Sequence, residues 1–240
     1  MARLPRLVIP HHPHLVLQQA LDRQPVFRDA DDHLAFLGWL REAARLFKVA
    51  IHAYALLPDR VLLLATPANQ LGLGRMMQWV GRHYVPYFNR KVGRAGTLWQ
   101  GRFKATVIDA ERQFMLCSRY VEGQPVAAGL VVTAADYPWS SCAHHVGAKP
   151  DPLIIDHQSY WFLGNTPFDR EAAYRGLLEQ ALTLEETRAV SEAVAKGWAL
   201  GTDAFKTALA RTSQRRVTPA KRGRPAKKLA GAPKQGLNLP

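Results

Sequence analysis

Between residues 75 and 108 the chain carries Arg75, Arg82, Arg90, Lys91, Arg94, Arg102 and Lys104 and no Asp or Glu. Interleaved with these are Trp79, His83, Tyr84, Tyr87, Phe88, Trp99 and Phe103. Cationic side chains neutralise phosphates and flat rings stack on unpaired bases, so the mixture suits a nucleic-acid contact with single-stranded character. The spacing of Trp79, Tyr84 and Phe88 also fits the buried stripe of a helix, but a stripe does not account for the missing acids. A second basic segment lies at the end of the chain, where residues 206–240 hold ten lysines and arginines and no acid. Within it, Lys221-Arg222-Gly223-Arg224-Pro225 is similar to an AT-hook, in which Arg222 and Arg224 would lie along the narrow minor groove of A·T-rich duplex.

The remaining composition excludes several classes. The 240 residues are 48% hydrophobic with a net charge of +13, enough apolar side chain for a core. No run approaches the roughly 20 apolar residues of a membrane span. Met1 to Pro13 lacks the apolar stretch of a secretory signal, which predicts a cytoplasmic protein. Cys117 and Cys142 form no CxxC pair and give neither a zinc knuckle nor a disulfide framework. The tail after residue 205 is rich in Ala, Pro and Gly, lacks aromatics and is read as a disordered basic arm.

Elements able to position the basic cluster follow from periodicity. His14–Gln18 reads as a strand, and Asp29 to Asp32 cap a helix over about 33–47, with Phe36, Leu37, Leu40, Ala44 and Phe47 at helical spacing. Residues 49–57 and 60–65 form a hairpin across Pro58-Asp59. A long helix over 71–91, a strand over 103–109 and a helix over about 111–121 follow. The order β-α-β-β-α-β predicts an α+β, ferredoxin-like antiparallel sheet with helices on one face. The segment 136–161 reads as irregular. Helices over 168–182 and 184–196 read as an appendage spanning 166–205, between a domain at 1–165 and the tail at 206–240.

Four motifs occur in order: Tyr54-Ala-Leu-Leu-Pro-Asp-Arg-Val61, Gly96-Thr-Leu-Trp-Gln-Gly-Arg102, Arg119-Tyr-Val-Glu-Gly-Gln-Pro-Val126 and Asp136-Tyr-Pro-Trp-Ser-Ser141. Over about residues 4–165 the chain resembles the IS200-like single-tyrosine transposases of the HUH type, in particular the subgroup associated with repetitive extragenic palindromes. The resemblance implies DNA transposition through a nuclease and strand transferase acting on single-stranded DNA beside a hairpin. A helix-borne tyrosine, here Tyr120, would attack the scissile phosphodiester and leave a 5′-phosphotyrosine. A phenolate is both a nucleophile and, on reversal, a leaving group, so the bond energy is kept. Gln124, four residues on, would be the polar partner one helical turn away.

The resemblance also implies a divalent cation, Mg or Mn, on a His-hydrophobic-His pair. Here Arg60 and Leu62 stand at those two positions, and neither can ligate a metal. The reading is therefore a hairpin and single-stranded DNA-binding protein of the family, with no retained metal and with cleavage impaired. Two alternatives stand beside it. One is an active enzyme in which Tyr120 works with Arg60 clamping the phosphate, or with a relocated site drawing on His12 or His14. The other is an RNA-binding module on the same scaffold. Monomer and homodimer both remain open.

Overall fold

The computed structural model describes residues 6–213 and 216–219. The chain runs β1 (His14–Gln19), α1 (Ala30–Leu46), β2 (Val49–Leu57), β3 (Arg60–Pro67), α2 (Gly72–Val92) and β4 (Lys104–Val107). It continues through α3 (Ala110–Glu122), the short α4 (Gln124–Ala127), α5 (Cys142–His145) and α6 (Gln158–Trp161), then α7 (Pro167–Glu179), α8 (Leu184–Lys196) and α9 (Asp203–Thr212). The strands form one antiparallel sheet in the order β2-β3-β1-β4. That is the ferredoxin-like arrangement expected from the element order.

Side chains alternate across the sheet with period two, and both faces are covered. Val16, Ile51, Tyr54, Leu56, Val61 and Leu63 turn to one face and pack beneath α1 and α2. Phe36, Leu40 and Ala43 of α1 meet Val80, Tyr84 and Phe88 of α2 in the same core. Leu15, Ala53, Ala55, Leu57, Leu62 and Leu64 turn to the other face, where Phe114, Cys117 and Val121 of α3 and Val190 and Val194 of α8 cover them. Two covered faces explain the run of leucines at 62–64, since a strand buried on both sides has no polar side to alternate with. Burying one such leucine contributes about 1.5–3 kcal/mol.

The crossover helices α1 and α2 share one face as expected, and the opposite face is covered too. The helix α8 is therefore part of the core rather than of an appendage. The Thr106 hydroxyl of β4 donates to the Ala193 and Trp198 carbonyls at 2.8 and 2.6 Å. The tail boundary also moves. Residues 203–212 form α9, and Leu209 and Val217 are buried against Leu7, Val107 and Ala199, because these few apolar positions find a ready surface at the end of the sheet. Arg222, Arg224 and the rest of the AT-hook-like segment lie outside the described residues.

Helix ends follow local chemistry. The Asp29 side chain accepts from Asp32 N–H and starts α1 at Ala30, slightly ahead of the position predicted from periodicity. Gly93, at φ 66°, closes α2 in the left-handed conformation that glycine adopts without a Cβ penalty. The segment 136–141 lies along edge strand β2: Tyr137 donates to the Leu56 carbonyl at 2.8 Å, and Ser141 Oγ accepts from Tyr54 N–H at 2.9 Å.

Candidate functional site

Tyr120 lies near the C-terminal end of α3, 8% exposed, on the side of the helix that packs on the sheet. The hairpin turn at Pro58-Asp59 sends β3 back from Arg60, and alternation puts Arg60 on the same sheet face as Leu62 and hence on the Tyr120 side. Arg60 pairs with Leu57 on one side and Gln19 on the other. Its Nε donates to Asp59 Oδ1 at 2.8 Å, and the side chain stays about one-third exposed. Burial raises the Tyr120 phenol pKa above its ordinary value, and the positive charge of Arg60 acts in the opposite sense. Tyr120 and Arg60 thus meet electrostatically, and the guanidinium is placed to favour a phenolate there. No side-chain hydrogen bond to Tyr120 occurs among the described residues, so its hydroxyl is not committed elsewhere.

Lys104 joins this face. Leu62 of β3, Leu17 of β1 and Lys104 of β4 form one cross-strand row, and with strands about 4.8 Å apart the Lys104 Cα lies roughly 10 Å from that of Leu62. Lys104 shares its side of β4 with Thr106, which bonds to α8. Gln124 lies past the end of α3, as the first residue of α4 beyond Gly123. A Cβ at Gly123 would come within 2.9 Å of the Arg119 carbonyl oxygen, so glycine is required at this junction.

The donor set around Arg60 does not fit a divalent cation. A guanidinium has no accessible lone pair, Leu62, Leu17 and Leu57 offer hydrocarbon, and Lys104 adds a positive charge. The nearby histidines do not compensate. His14 sits at the opposite end of β1, on the other sheet face. Its Nδ1 donates to the His12 carbonyl at 2.7 Å and its Nε2 accepts from Ile9 N–H at 3.1 Å. Both ring nitrogens are thereby used, and burial lowers its pKa to about 4. His12 Nδ1 bonds the Pro10 carbonyl at 3.1 Å, and its ring lies beside Phe205. Neither histidine converges on Tyr120.

Behind α3 lies a polar network centred on Glu122, which is fully buried. Ser141 Oγ donates to Glu122 Oε1, His145 Nδ1 donates to the same oxygen at 2.7 Å, and Tyr174 Oη donates to Oε2 at 2.6 Å. Ser118 bonds the Tyr174 hydroxyl at 2.9 Å. Burial alone would lower the His145 pKa, but the charges of Glu122 and Asp156 and the Glu122 hydrogen bond raise it on balance. His144, His145 and Asp156 bring three potential ligand atoms within 4.8 Å of one another. However, His144 Nδ1 accepts from Asp151 N–H at 3.0 Å, so its Nε2 carries the proton it directs to Asp156 at 3.3 Å. That tautomer leaves His144 no lone pair for an ion.

The basic cluster is only partly as the composition suggests. Lys91 is not unanswered: its Nζ lies 2.7 Å from Asp29 and 2.8 Å from Asp32, at the start of α1. Trp99 is no stacking platform, because it is packed in the core with its backbone bridged to Ala20. The helical repeat of α2 carries Tyr84 and Phe88 inward and leaves Arg75, Arg82 and Arg90 exposed. Arg94 donates to the Thr97 carbonyl at 3.2 Å, and Arg102 is exposed. Arg82 and Arg90, with the aspartate-bound Lys91, border a groove of about 470 Å³ lined also by Trp39, His83, Pro86 and Tyr87. Trp39 and the Glu122 network escaped the sequence reading. Trp39 belongs to a different helix from the cluster, and Glu122 is in sequence merely the residue two beyond Tyr120.

The chain is a four-stranded ferredoxin-like sheet carrying Tyr120 on a helix packed against one face. Residues 8–124 match the family model "Transposase IS200 like", so this segment of the chain is similar to the domain of that family. Among solved structures it is similar to a REP-associated tyrosine transposase bound to a REP hairpin, at 18% identity and a TM-score of 0.51, over 65% of this chain and 92% of that one. It is also similar to a Deinococcus radiodurans protein assigned to the transposases, at 21% identity and a TM-score of 0.33, over 52% of this chain and 98% of that one. No curated protein matches.

Proposed function

We propose that this chain binds hairpin and single-stranded DNA of palindromic elements, in the cytoplasm, and that strand cleavage through Tyr120 is impaired because the family's metal pair is replaced. The carrying observation is the sheet face beneath Tyr120, where Arg60 and Leu62 stand at the two positions a ligand pair would need. The family's cation, where bound, polarises the scissile phosphate, a contribution of several kcal/mol. In this chain Arg60 and Lys104 supply positive charge on that face without supplying a Lewis acid. They can hold and orient a phosphodiester beside the phenol, which favours binding over bond breaking. Burial moves the Tyr120 phenol pKa above its ordinary value, a further brake on attack.

A test is incubation of the protein with a fluorescent hairpin carrying a single-stranded flank, with Mg²⁺ or Mn²⁺, followed by native and denaturing gels. The expected result is a shifted band and no covalent adduct. Introducing Arg60→His together with Leu62→His should produce a metal-dependent adduct that Tyr120→Phe abolishes. Each 1.4 kcal/mol of restored stabilisation is about tenfold in rate, so the gain should span orders of magnitude. A robust adduct in the unmodified protein would overturn impaired cleavage. In that event Arg60→Ala decides whether the guanidinium serves as the phosphate clamp, since unchanged cleavage would remove it from that role.

A further inference from the structure

The groove between α1 and α2 combines three features that core packing does not require together. Trp39, His83 and Tyr87 are partly or well exposed rings at its wall: Trp39 meets Tyr87 edge to face, with centroids 5.5 Å apart at 72°, and lies 6.0 Å from His83. Trp79 backs His83 at 3.8 Å and holds the imidazole in place. Arg82 and Arg90 stand at the rim and form no ion pair among the described residues, although Lys91, one residue from Arg90, is bound by two aspartates. Pro86 lines the same groove within α2. Having no N–H, it leaves the Arg82 carbonyl without its usual helical donor. The groove volume of about 470 Å³ falls within the roughly 300–1,000 Å³ of sites that enclose a small ligand.

We infer that this groove holds an unpaired base of single-stranded DNA, stacked against Trp39 and His83, with Arg82 and Arg90 on the neighbouring phosphates. Aromatic and imidazole rings accept any base by stacking, and exposed arginines neutralise the backbone on either side. The inference rests on the reading of the chain as a single-stranded DNA binder, and it adds a place and a ligand. The helices α1 and α2 cover the sheet face turned away from Tyr120, so the base gripped here belongs to a part of the strand remote from the phosphate beside Tyr120.

The test compares a blunt DNA hairpin with the same hairpin bearing a single-stranded flank, by fluorescence anisotropy. A stacked base accounts for roughly 5- to 150-fold in affinity. Trp39→Ala should therefore weaken binding of the flanked hairpin by a factor in that range and leave the blunt hairpin unchanged. An abasic flank should bind the unmodified protein as weakly as the variant binds the normal flank. Iodouracil placed in the flank should cross-link to Trp39, His83 or Tyr87. If Trp39→Ala does not fold, as judged by circular dichroism, His83→Ala with Arg90→Ala carries the same comparison from exposed positions. Equal losses on both DNAs, no loss on either, or cross-links confined to other residues would overturn the groove assignment while leaving DNA binding intact. Failure of the unmodified protein to bind either hairpin would overturn the functional reading and this inference with it.

Discussion

The two faces of the sheet are built alike in their hydrocarbon and differently in their chemistry. Under α1 and α2 the polar groups are at the outside, where arginines and rings line an open groove. On the α3 side they lie at or within the packing: Arg60 and Lys104 project from β3 and β4 toward the face that holds Tyr120, and Glu122 is sealed behind the helix by Ser141, His145 and Tyr174. One face is suited to gripping a polyanion, since exposed guanidinium groups keep their charge at little desolvation cost. The other is suited to holding one tyrosine in a fixed place, since a buried Glu122 with three hydrogen-bonding partners on α5, its N-cap and α7 tolerates little movement of the helix that carries it. On the proposed reading, replacement of the metal pair removes chemistry from the second face without disturbing the first, so DNA binding does not depend on cleavage.

The largest expected effect that separates the faces is on stability. Glu122→Ala removes the buried partner of His145 and leaves the Ser141 and Tyr174 hydroxyls without their acceptor, and should cost about 3–5 kcal/mol, read as a lower urea midpoint. Glu122→Gln keeps the shape and should cost less. Below the unfolding transition, the Glu122→Gln variant should retain the salt-dependent DNA affinity of the parent, because the α1–α2 groove shares no contact with the network. A parallel loss of affinity would show the two faces to be coupled.

Acid should act next. Burial lowers the pKa of both His14 and His52 from 6.5 to about 4. The unfolded chain therefore binds protons that the folded chain refuses, and stability falls as pH drops from about 6.5 toward 4, by up to roughly 3 kcal/mol per histidine. His145 works in the opposite direction. Its raised pKa gives a contribution that is complete below about 6.5 and is lost as pH rises through the folded value. Urea midpoints between pH 4 and 8 should thus decline on the acid side, and His52→Gln should flatten that decline. An unchanged slope in His52→Gln would rule out a buried neutral His52.

Much of this organisation was legible in the chain. The hairpin at Pro58-Asp59 and α8 over 184–196 follow from periodicity and punctuation, because each is set by residues close in sequence, and the strand order follows from the order of the elements. What escaped was set by contacts distant in sequence. The helix α8 looks like an appendage until Thr106 is seen bonding to its carbonyls. Residues 206–212 look like open tail because the surface they cover is contributed by Leu7 and Val107. The Tyr120–Arg60 approach was legible only through motif order, while Glu122 needed Ser141, His145 and Tyr174 brought to it from 19 to 52 residues away. Charge counting failed in one instructive place. Lys91 falls in a stretch without acids, yet Asp29 and Asp32 reach it from α1 across a separation of 62 and 59 residues.

That failure yields the smallest predicted effect and the sharpest contrast. Arg90 and Lys91 are neighbours in the last turn of α2, of equal formal charge, and composition gives no reason to separate them. The structure does: both line the groove, but Lys91 already has two carboxylates within 2.8 Å, whereas Arg90 forms no ion pair among the described residues. A cation held by two carboxylates presents little net positive field to DNA, so its removal also unmasks Asp29 and Asp32 without releasing counterions from a phosphate. Arg90→Ala should reduce the slope of log affinity against log salt by roughly 0.7–0.9, the value for one phosphate contact. Lys91→Ala should leave that slope unchanged, though affinity itself falls slightly as the two aspartates lose their counter-charge. Equal slope changes in the two variants would mean that Lys91 exchanges its aspartates for phosphate when DNA binds, and the basic stripe of α2 would then be as continuous as its composition suggests.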